Sequence, residues 1–359
     1  MSTINFSPGP SIVAREVLEQ AAQALLGVPE VHGLSIAEIS HRLPYFEGIV
    51  RETEATLRRL MGIPDTHVVL FLQGGARGQF AQLALNWLGG AKVGAYIDTG
   101  VWSRAAFDDA KTLGDARILA TGEGNGYREL PDVSDLALPE GVAYVHTTSN
   151  NTIYGTQWPT MPTFAAPHIS DMSSDILSRP IDVSRFAMIY AGAQKNAGIS
   201  GLTLCILERS WMDAARQDIP SIWQYRVQHA NDSMYNTPPT FAIYVTLLAL
   251  RWFEKQGGVA AIAANNTAKA NALYAAIDGS DGFYRGYATP AHRSQMNVTF
   301  RLATEDLEKT FVAEAEAAGL HHLKGHRKAG GIRASLYNAM SLEGVERLIA
   351  FMAAFKSRH

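Results

Sequence analysis

Four groups of residues have types and spacings that could perform chemistry together, and the first centres on Lys195. This lysine follows an apolar stretch that ends at Tyr190, and the surrounding segment 191–198, AGAQKNAG, consists mostly of small residues. Lysines normally occupy solvated surfaces, so a lysine among small residues directly after a predicted buried strand is unusual. Burial would lower the pKa of its amine, as formation of a Schiff base with an aldehyde requires. A surface-loop lysine is an equally good interpretation of these residues alone.

Asp171 is the second candidate. It ends the run HISD at 168–171 and precedes Lys195 by about one crossover between parallel strands. An aspartate at the carboxyl end of a strand faces the crevice in which doubly wound sheets bind ligands. There it could keep the nitrogen of a pyridine ring protonated, so that the ring acts as an electron sink. An N-cap for the segment that begins at Ser173 is the competing interpretation.

The third group is the glycine-rich segment 73–80, QGGARGQF, between a predicted strand and a predicted helix. Free backbone N–H groups and the helix dipole suit a phosphate at such a turn, and Arg77 adds a fixed cation. The spacing is neither that of a P-loop nor that of a dinucleotide-binding turn. Trp102 could stack on a planar ring, although a core tryptophan is the ordinary interpretation. Together with Lys195 and Asp171, these features make up a site for pyridoxal 5'-phosphate.

The fourth group consists of cations in loops or next to glycines. It comprises His41-Arg42, the segment 324–328, KGHRK, and Arg333 after a glycine pair. Scattered arginines are usually solvated, but two His-Arg dipeptides in predicted loops favour recognition of an anion. A substrate that carries both a phosphate and a carboxylate would need about this many donors.

The elements that must position these groups are predicted from hydrophobic periodicity. Ser11 is predicted as the N-cap of a helix over 12–26, and a second helix fits 45–61. Between about residues 68 and 207, short runs rich in branched residues alternate with helical stretches. This alternation predicts an α/β fold with a mostly parallel sheet that helices flank on both faces.

The length of 359 residues exceeds the size at which one hydrophobic core stops growing, so we expect more than one domain. The predicted units are a large cofactor-binding domain over 16–255 and a smaller C-terminal α+β domain over 256–359. An N-terminal arm over 1–15 is expected to pack with the small domain.

Composition limits the partners of the chain. A formal net charge of -3 gives no global basic field for nucleic acid or an anionic membrane. No signal peptide and no apolar run long enough to span a bilayer is recognisable. The single cysteine, Cys205, lies in an apolar run and suits a reducing compartment. We therefore expect a cytoplasmic enzyme without nucleic-acid or membrane partners and without a metal ion.

Several stretches along the whole chain match a known family. They are FSPGP (6–10), SHR (40–42), GGARGQF (74–80), LSRPIDVSR (177–185), IYAGAQKN (189–196), MYNTPPTF (234–241), LKGHR (323–327) and YNAMSLEG (337–344). With these stretches the chain closely resembles the phosphoserine aminotransferases, a family in the class V branch of fold-type I pyridoxal phosphate enzymes.

The resemblance implies a cofactor site in which Lys195 is the catalytic residue and forms the Schiff base. Asp171 would bind the pyridine nitrogen, and Thr152 would contact the region of the ring hydroxyl. The implied cofactor-binding residues are Ala76, Arg77, Trp102, Thr152, Asp171, Gln194 and Lys195 of one subunit, with Asn236 and Thr237 of the neighbouring subunit. The active site would therefore be shared within a homodimer. Ala76 stands where many relatives have a glycine, but it retains the backbone N–H that a phosphate needs.

The resemblance also implies the substrates. The implied binders of the distal anion are His41, Arg42, His326 and Arg327, some of them donated across the dimer. Arg333 would pair with the α-carboxylate. The implied reaction is a ping-pong transamination in serine biosynthesis, in which L-glutamate and 3-phosphohydroxypyruvate give 2-oxoglutarate and O-phospho-L-serine. Some family members also form 4-phosphohydroxy-L-threonine in pyridoxine biosynthesis, and the sequence does not decide whether this chain does so.

Other classes of protein compete with this interpretation. Another class V enzyme, such as an alanine–glyoxylate aminotransferase, would share the cofactor site but would not explain so many cations. A cysteine desulfurase needs a mobile catalytic cysteine, and Cys205 is badly placed for that role. A nicotinamide-dependent dehydrogenase predicts a glycine fingerprint that the chain lacks in the right context. A binding module without activity would leave the lysine and its partners unexplained.

Overall fold

Helices and strands alternate along most of the chain in the computed structural model, which describes residues 3–359. The α-helices are Arg15–Leu26 (α1), Pro44–Met61 (α2), Ala76–Trp87 (α3), Val101–Lys111 (α4), Arg209–Asp213 (α5), Tyr225–Ala230 (α6), Thr240–Lys255 (α7), Gly258–Asp278 (α8), Glu305–Ala317 (α9) and Leu342–Arg358 (α10). The β-strands are Ile4–Asn5 (β1), His67–Gln73 (β2), Val93–Asp98 (β3), Asp115–Thr121 (β4), Val142–Thr148 (β5), His168–Asp171 (β6), Met188–Gly192 (β7), Leu202–Glu208 (β8), Arg285–Gly286 (β9), Asn297–Arg301 (β10), Leu320–His321 (β11) and Ile332–Ser335 (β12).

A seven-stranded sheet with the order β2-β8-β7-β6-β5-β3-β4 lies at the centre of the larger part of the chain. β8 runs antiparallel to both of its neighbours, and every other neighbouring pair in this sheet is parallel. The predicted α/β fold with a mostly parallel sheet is therefore confirmed. β2, β7 and β8 are nearly continuous apolar runs because helices cover the sheet on both faces.

Alternate residues of each strand enter two different cores. On one face Val69 and Phe71 of β2 pack in a core that includes α2 and α7. On the other face Val68 and Leu70 pack in a core that includes α3 and α4. Burial on both faces fixes the register of the strands, because a slip by one residue would exchange the two sets of side chains.

All strands of this sheet except β8 have their carboxyl ends at one edge, where β4 is one of the two outermost strands. β2, β3, β5, β6 and β7 all run in the same direction, so the loops that follow them lie side by side. Four of these five strands end in polar residues, namely Gln73, Asp98, Thr148 and Asp171. Ligands of α/β proteins bind in the crevice outside such strand ends.

The C-terminal part of the chain contains a smaller antiparallel sheet with the order β12-β10-β9. Its core includes Phe300 of β10 and Phe311 of α9, together with Ile4 and Phe6 of the N-terminal segment. Ile4 pairs with Leu320 in a short parallel ladder between β1 and β11. The predicted boundary at residues 255/256 falls at the end of α7 and stays a prediction, as does the limit of the arm.

The predicted role of Ser11 as a helix N-cap is wrong. α1 begins at Arg15, and its N-cap residue, Ala14, makes no side-chain cap. The Ser11 hydroxyl instead donates a 2.5 Å hydrogen bond to the main-chain oxygen of Lys195, and the Ser11 N–H donates to Gln194 O at 3.0 Å. A contact with a distant segment has thus replaced the local cap that the sequence predicts.

Two further properties follow from the described residues. Among residues 3–359, none of the helices combines the length and the apolar character that a crossing of the bilayer requires. Cys205 lies on β8 and is completely buried, and this burial raises the pKa of its thiol. A buried thiol of this kind lacks the reactivity that a catalytic cysteine needs.

Candidate active site

A cavity of about 410 Å³ lies at the edge of the large sheet where the five strands end. The N-terminal arm and the C-terminal part of the chain also contribute to its wall. The predicted site residues that line it are Ala76, Arg77, Trp102, Thr152, Asp171, Gln194, Lys195, His326 and Arg333. Residues from distant parts of the chain are therefore brought together where the sequence predicts a ligand.

The other predicted site residues do not line this cavity in the single chain. They are His41, Arg42, Asn236, Thr237 and Arg327. The Asn236 amide donates to Gln73 Oε1 at 3.0 Å, directly before the glycine-rich loop. The family resemblance assigns Asn236 and Thr237 to the site of a neighbouring subunit and implies that some of the distal-anion binders also cross the dimer. Arg327 directly follows His326, which does line the cavity.

Lys195 lies in the turn after β7, where the small residues predicted from the sequence let other segments approach it. Its Nζ donates to Thr152 Oγ1 at 2.7 Å and lies 5.8 Å from the centre of the Trp102 ring. Burial lowers the pKa of Lys195 to about 8, and the Arg333 guanidinium acts in the same direction, while the Asp171 carboxylate opposes the change. About one in ten of these amines is therefore neutral and nucleophilic at pH 7, and about half at pH 8.

The lowered pKa predicts how Lys195 reacts with an aldehyde. Because only the neutral amine attacks a carbonyl, the rate should rise with pH and level off above about 8. With the ordinary lysine value of 10.5, fewer than about 1 in 100 of the amines would be neutral at pH 8. The measurement is the rate at which cofactor-free protein combines with pyridoxal 5'-phosphate across pH 6–10, with borohydride reduction and peptide mapping to locate the product. A midpoint near 10 at Lys195 would contradict the prediction.

Asp171 is the last residue of β6, and its carboxylate is buried beneath the cavity. One oxygen, Oδ1, accepts hydrogen bonds from the Ser173 N–H at 2.9 Å and from the Ser173 hydroxyl at 2.6 Å. The other oxygen, Oδ2, accepts no hydrogen bond from residues 3–359. Burial raises the pKa of Asp171, and the bonds from Ser173 and the charge of Lys195 oppose the change. The two interpretations of Asp171 are compatible, because one oxygen holds the turn and the other can meet a protonated ring nitrogen.

The glycine-rich loop forms a cradle at the start of α3. Gly74 has a φ of 102°, a conformation that favours glycine, and Gly75 occupies the N-cap position without a side-chain cap. The first N–H groups of a helix have no partner within the helix, so those of Ala76 and Arg77 are available to an anion. These two residues line the cavity beside Gly75. The loop therefore offers N–H donors, a helix dipole and a guanidinium to a phosphate.

Several polar atoms in the cavity wall are buried without a hydrogen-bond partner among the described residues. They include Thr148 Oγ1, Trp102 Nε1, Gln194 Oε1 and Arg333 Nε. Buried polar groups are nearly always paired, so atoms left unpaired at one cavity indicate that a polar ligand belongs there. Together with the cradle, the lysine and the free carboxylate oxygen, they fit pyridoxal 5'-phosphate.

Arg333 reaches the cavity from β12 of the C-terminal sheet. It is only 6% exposed, and its Nη1 donates to the main-chain oxygen of Thr152 at 3.2 Å. Burial lowers the pKa of Arg333, although a guanidinium remains charged at any physiological pH. His326 lies on the same side of the cavity, and its pKa is lowered by burial and by the neighbouring Arg333. A guanidinium with a free donor at this depth can bind a carboxylate in a bidentate manner.

Several residues of the site are not among those predicted from the sequence. Pro8 and Gly9 of the arm line the cavity, as do Thr148, Asn150 and Ser174. The signal for two of them was present in the polar run TTSNNT at 147–152, which directly follows an apolar strand. Polar residues at a strand's carboxyl end face the ligand crevice, so this run could have been included.

Comparison with known proteins agrees with the geometry. The family described as Aminotransferase class-V matches residues 3–348. The chain is 48% identical to a phosphoserine aminotransferase of Herpetosiphon aurantiacus, over 100% of this chain and 99% of that protein. It is 46% identical to the phosphoserine aminotransferase of Bacillus subtilis, over 99% of each.

Solved structures give the same result. The phosphoserine aminotransferase of Bacillus circulans subsp. alkalophilus superposes with a TM-score of 0.96 at 44% identity over 99% of each chain. A phosphoserine aminotransferase of Trichomonas vaginalis with bound pyridoxal phosphate gives 0.92 at 35% identity, over 98% of this chain and 99% of that one. An alanine–glyoxylate aminotransferase of Nostoc gives 0.75 at 16% identity, over 99% of this chain and 95% of that one, and it shares the fold.

Proposed function

The chain belongs to the class-V aminotransferases, and we propose that it is a phosphoserine aminotransferase of serine biosynthesis. It uses pyridoxal 5'-phosphate to transfer the amino group of L-glutamate to 3-phosphohydroxypyruvate. The observation that carries the proposal is the match over the whole chain to relatives of that name, at up to 48% identity. Alanine–glyoxylate transamination, the alternative, is disfavoured because the enzyme of that name shares only 16% of the residues.

Each cofactor-facing residue has a chemical task in this proposal. When bound, the cofactor supplies an aldehyde that condenses with amines and a ring that withdraws electrons from the substrate Cα. Lys195 would hold the cofactor through its Nζ, and the same Nζ, when free, would move a proton from the substrate Cα. Thr152 Oγ1, at 2.7 Å, holds Nζ at the cavity. Asp171 keeps the ring nitrogen protonated, and the N–H groups of Ala76 and Arg77 hold the phosphate with Gln194.

Substrate recognition in this proposal uses one buried cation and two cationic side chains in a loop. Arg333, buried and fixed to Thr152 O, binds the α-carboxylate that both substrates carry. His326 and Arg327, in the loop before β12, bind the distal anion, which is a phosphate in one substrate and a carboxylate in the other. One set of donors can therefore serve both halves of a ping-pong reaction.

The proposal includes a homodimer with shared active sites. His41, Arg42, Asn236 and Thr237 lie outside the cavity of their own chain, and the resemblance assigns Asn236 and Thr237 to the site of a neighbouring subunit. Two apolar side chains next to these residues in the sequence are exposed in the single chain, Leu43 at 38% and Tyr235 at 41%. A cytoplasmic location is part of the same proposal, since the single buried cysteine suits a reducing compartment.

The direct test follows the visible absorbance of the purified protein. Added pyridoxal 5'-phosphate should give a bound, coloured form whose absorbance L-glutamate abolishes and 3-phosphohydroxypyruvate restores. Alanine and glyoxylate, offered at the same concentrations, should produce little of either change. A protein that remains colourless with added cofactor would contradict the cofactor assignment, whereas equal use of glyoxylate would contradict only the substrate assignment.

Recognition of the phosphate predicts a selective defect in Arg327→Ala. We expect KM for 3-phosphohydroxypyruvate to rise about a hundredfold, because one or two charge-assisted contacts of about 1.5–3 kcal/mol each are lost. Steady-state kinetics with the phosphorylated acceptor and with unphosphorylated hydroxypyruvate measure the selectivity. Lys328→Ala, which removes the adjacent cation, is the matched control and should change KM much less. Equal losses for both acceptors would remove Arg327 from phosphate recognition.

A further inference from the structure

Asn151 ties two loops of the cavity wall to each other. It is buried to 1% exposure in the turn after β5. Its Oδ1 accepts hydrogen bonds from the N–H groups of Ile153 and Tyr154, both at 3.0 Å. Its Nδ2 donates to the main-chain oxygen of Thr99 at 2.8 Å, in the loop between β3 and α4. The two ends of this one amide therefore hold segments that lie about fifty residues apart in the sequence.

Each of the two loops carries a group that faces the cofactor cavity. The loop at Thr99 leads directly into the first turn of α4, which bears Trp102. The turn at Asn151 bears Thr152, whose hydroxyl accepts from Lys195 Nζ at 2.7 Å and whose main-chain oxygen accepts from Arg333 at 3.2 Å. Asn151 thus lies between the aromatic wall and the lysine with its partner.

The packing around this amide leaves the loop before α4 little freedom. Gly100 has a φ of 141°, and a Cβ on it would lie 2.2 Å from Asn151 Nδ2 and 2.8 Å from a ring carbon of Tyr154. On the other side of the loop, Asp98 Oδ1 accepts from the Gly100 N–H at 3.1 Å and from the Ser103 hydroxyl at 2.9 Å. Asp98 therefore fixes the loop to β3, and Asn151 fixes it to the turn that carries Thr152.

We propose that Asn151 is a positioning residue that sets the Trp102 ring relative to the Thr152–Lys195 pair and so determines the orientation of the bound cofactor ring. This inference rests on the proposed function, because it concerns a cofactor held between these groups. Asn151 does not line the cavity itself, and it acts through Trp102 and Thr152. A site needs such a supporting contact, since its groups are productive only within about 0.5 Å of the correct geometry.

The test is Asn151→Asp in the holoenzyme. This isosteric change keeps the acceptor for Ile153 and Tyr154 but places a second acceptor against Thr99 O. We expect the visible circular-dichroism amplitude per bound cofactor to fall by about half, because this signal depends on the fixed orientation of the ring. We expect kcat to fall about tenfold to a hundredfold, as it does when reacting groups are misplaced by about 1 Å.

Asn86→Asp is the matched control. Asn86 is equally buried, and its Nδ2 donates to the main-chain oxygens of Gln82 and Trp223, both at 2.8 Å, away from the cavity. It should lower the unfolding temperature without changing the dichroism per bound cofactor. Asn151→Ser, whose hydroxyl can still accept from the turn but is too short to reach Thr99, replaces Asn151→Asp if that variant does not fold.

Two outcomes would overturn the proposal. The first is wild-type dichroism and kcat in a folded Asn151 variant. The second is a decrease in unfolding temperature equal to that of the Asn86 variant, with dichroism per bound cofactor and kcat unchanged. Failure of the wild-type protein to bind pyridoxal 5'-phosphate would instead contradict the proposed function. Cofactor binding by the wild type is therefore measured first, before any variant is tested.

Discussion

Replacement of Lys195 by alanine should lower kcat for transamination by at least about 10⁴-fold, because one side chain both binds the cofactor and moves the substrate proton. The other donors of the cavity do not replace it: Arg333 stays protonated, and Asp171 faces the ring nitrogen in the proposed site. The measurement is single-turnover absorbance of the purified variant after loading with pyridoxal 5'-phosphate and addition of L-glutamate. Binding of the cofactor phosphate should persist, since Ala76, Arg77 and Gln194 are unchanged.

Lys92→Ala is the control for the loss of a lysine as such. Lys92 is exposed between α3 and β3, away from the cavity, and its replacement should leave turnover unchanged. The unfolding temperature of the Lys92 variant should lie close to that of the wild type, because the Lys92 side chain is exposed. Turnover within tenfold of the wild type in the Lys195 variant would show that another group transfers the proton.

Much of the site could be predicted from the sequence because strand ends determine it. Lys195 follows a short apolar run and Asp171 ends the short run HISD, and the carboxyl ends of parallel strands meet at one edge of a sheet. Their positions at strand ends in the sequence were therefore enough to predict that they meet in space. Both residues line a single cavity with Arg77 and Trp102. The mostly parallel sheet followed from the same alternation of strands and helices.

Contacts between distant segments could not be predicted in this way. Ser11 has the right type for an N-cap, yet its hydroxyl bonds to Lys195 O, because the arm passes over the turn after β7. Asn151 looked like one polar residue in a polar run, and only the fold places Thr99 O within its reach. The positions of Asn236 and Arg42 in an assembled site depend on a second subunit, which no periodicity within one chain describes.

Asp171→Asn should be the second most damaging change. The amide keeps the shape of the side chain and can still hold the turn at Ser173, but it carries no negative charge to keep a ring nitrogen protonated. We expect kcat to fall by about 10²- to 10³-fold, since a charge-assisted hydrogen bond and the electron-withdrawing character of the ring are lost together. The affinity for pyridoxal 5'-phosphate, measured by absorbance titration of cofactor-free protein, should fall as well.

Asp175→Asn is the control that separates the contact of Asp171 with the ring nitrogen from the general effect of a buried carboxylate. Asp175 is buried to a similar degree, and burial raises its pKa in the same direction. However, its two oxygens are already bonded, one to the Ser149 hydroxyl and the other to the Gln157 amide at 3.0 Å, and it does not line the cavity. Its replacement should therefore reduce stability but affect kcat far less than Asp171→Asn. Equal losses of kcat in the two variants would mean that buried negative charge near Lys195, and not a contact with the ring nitrogen, is what catalysis requires.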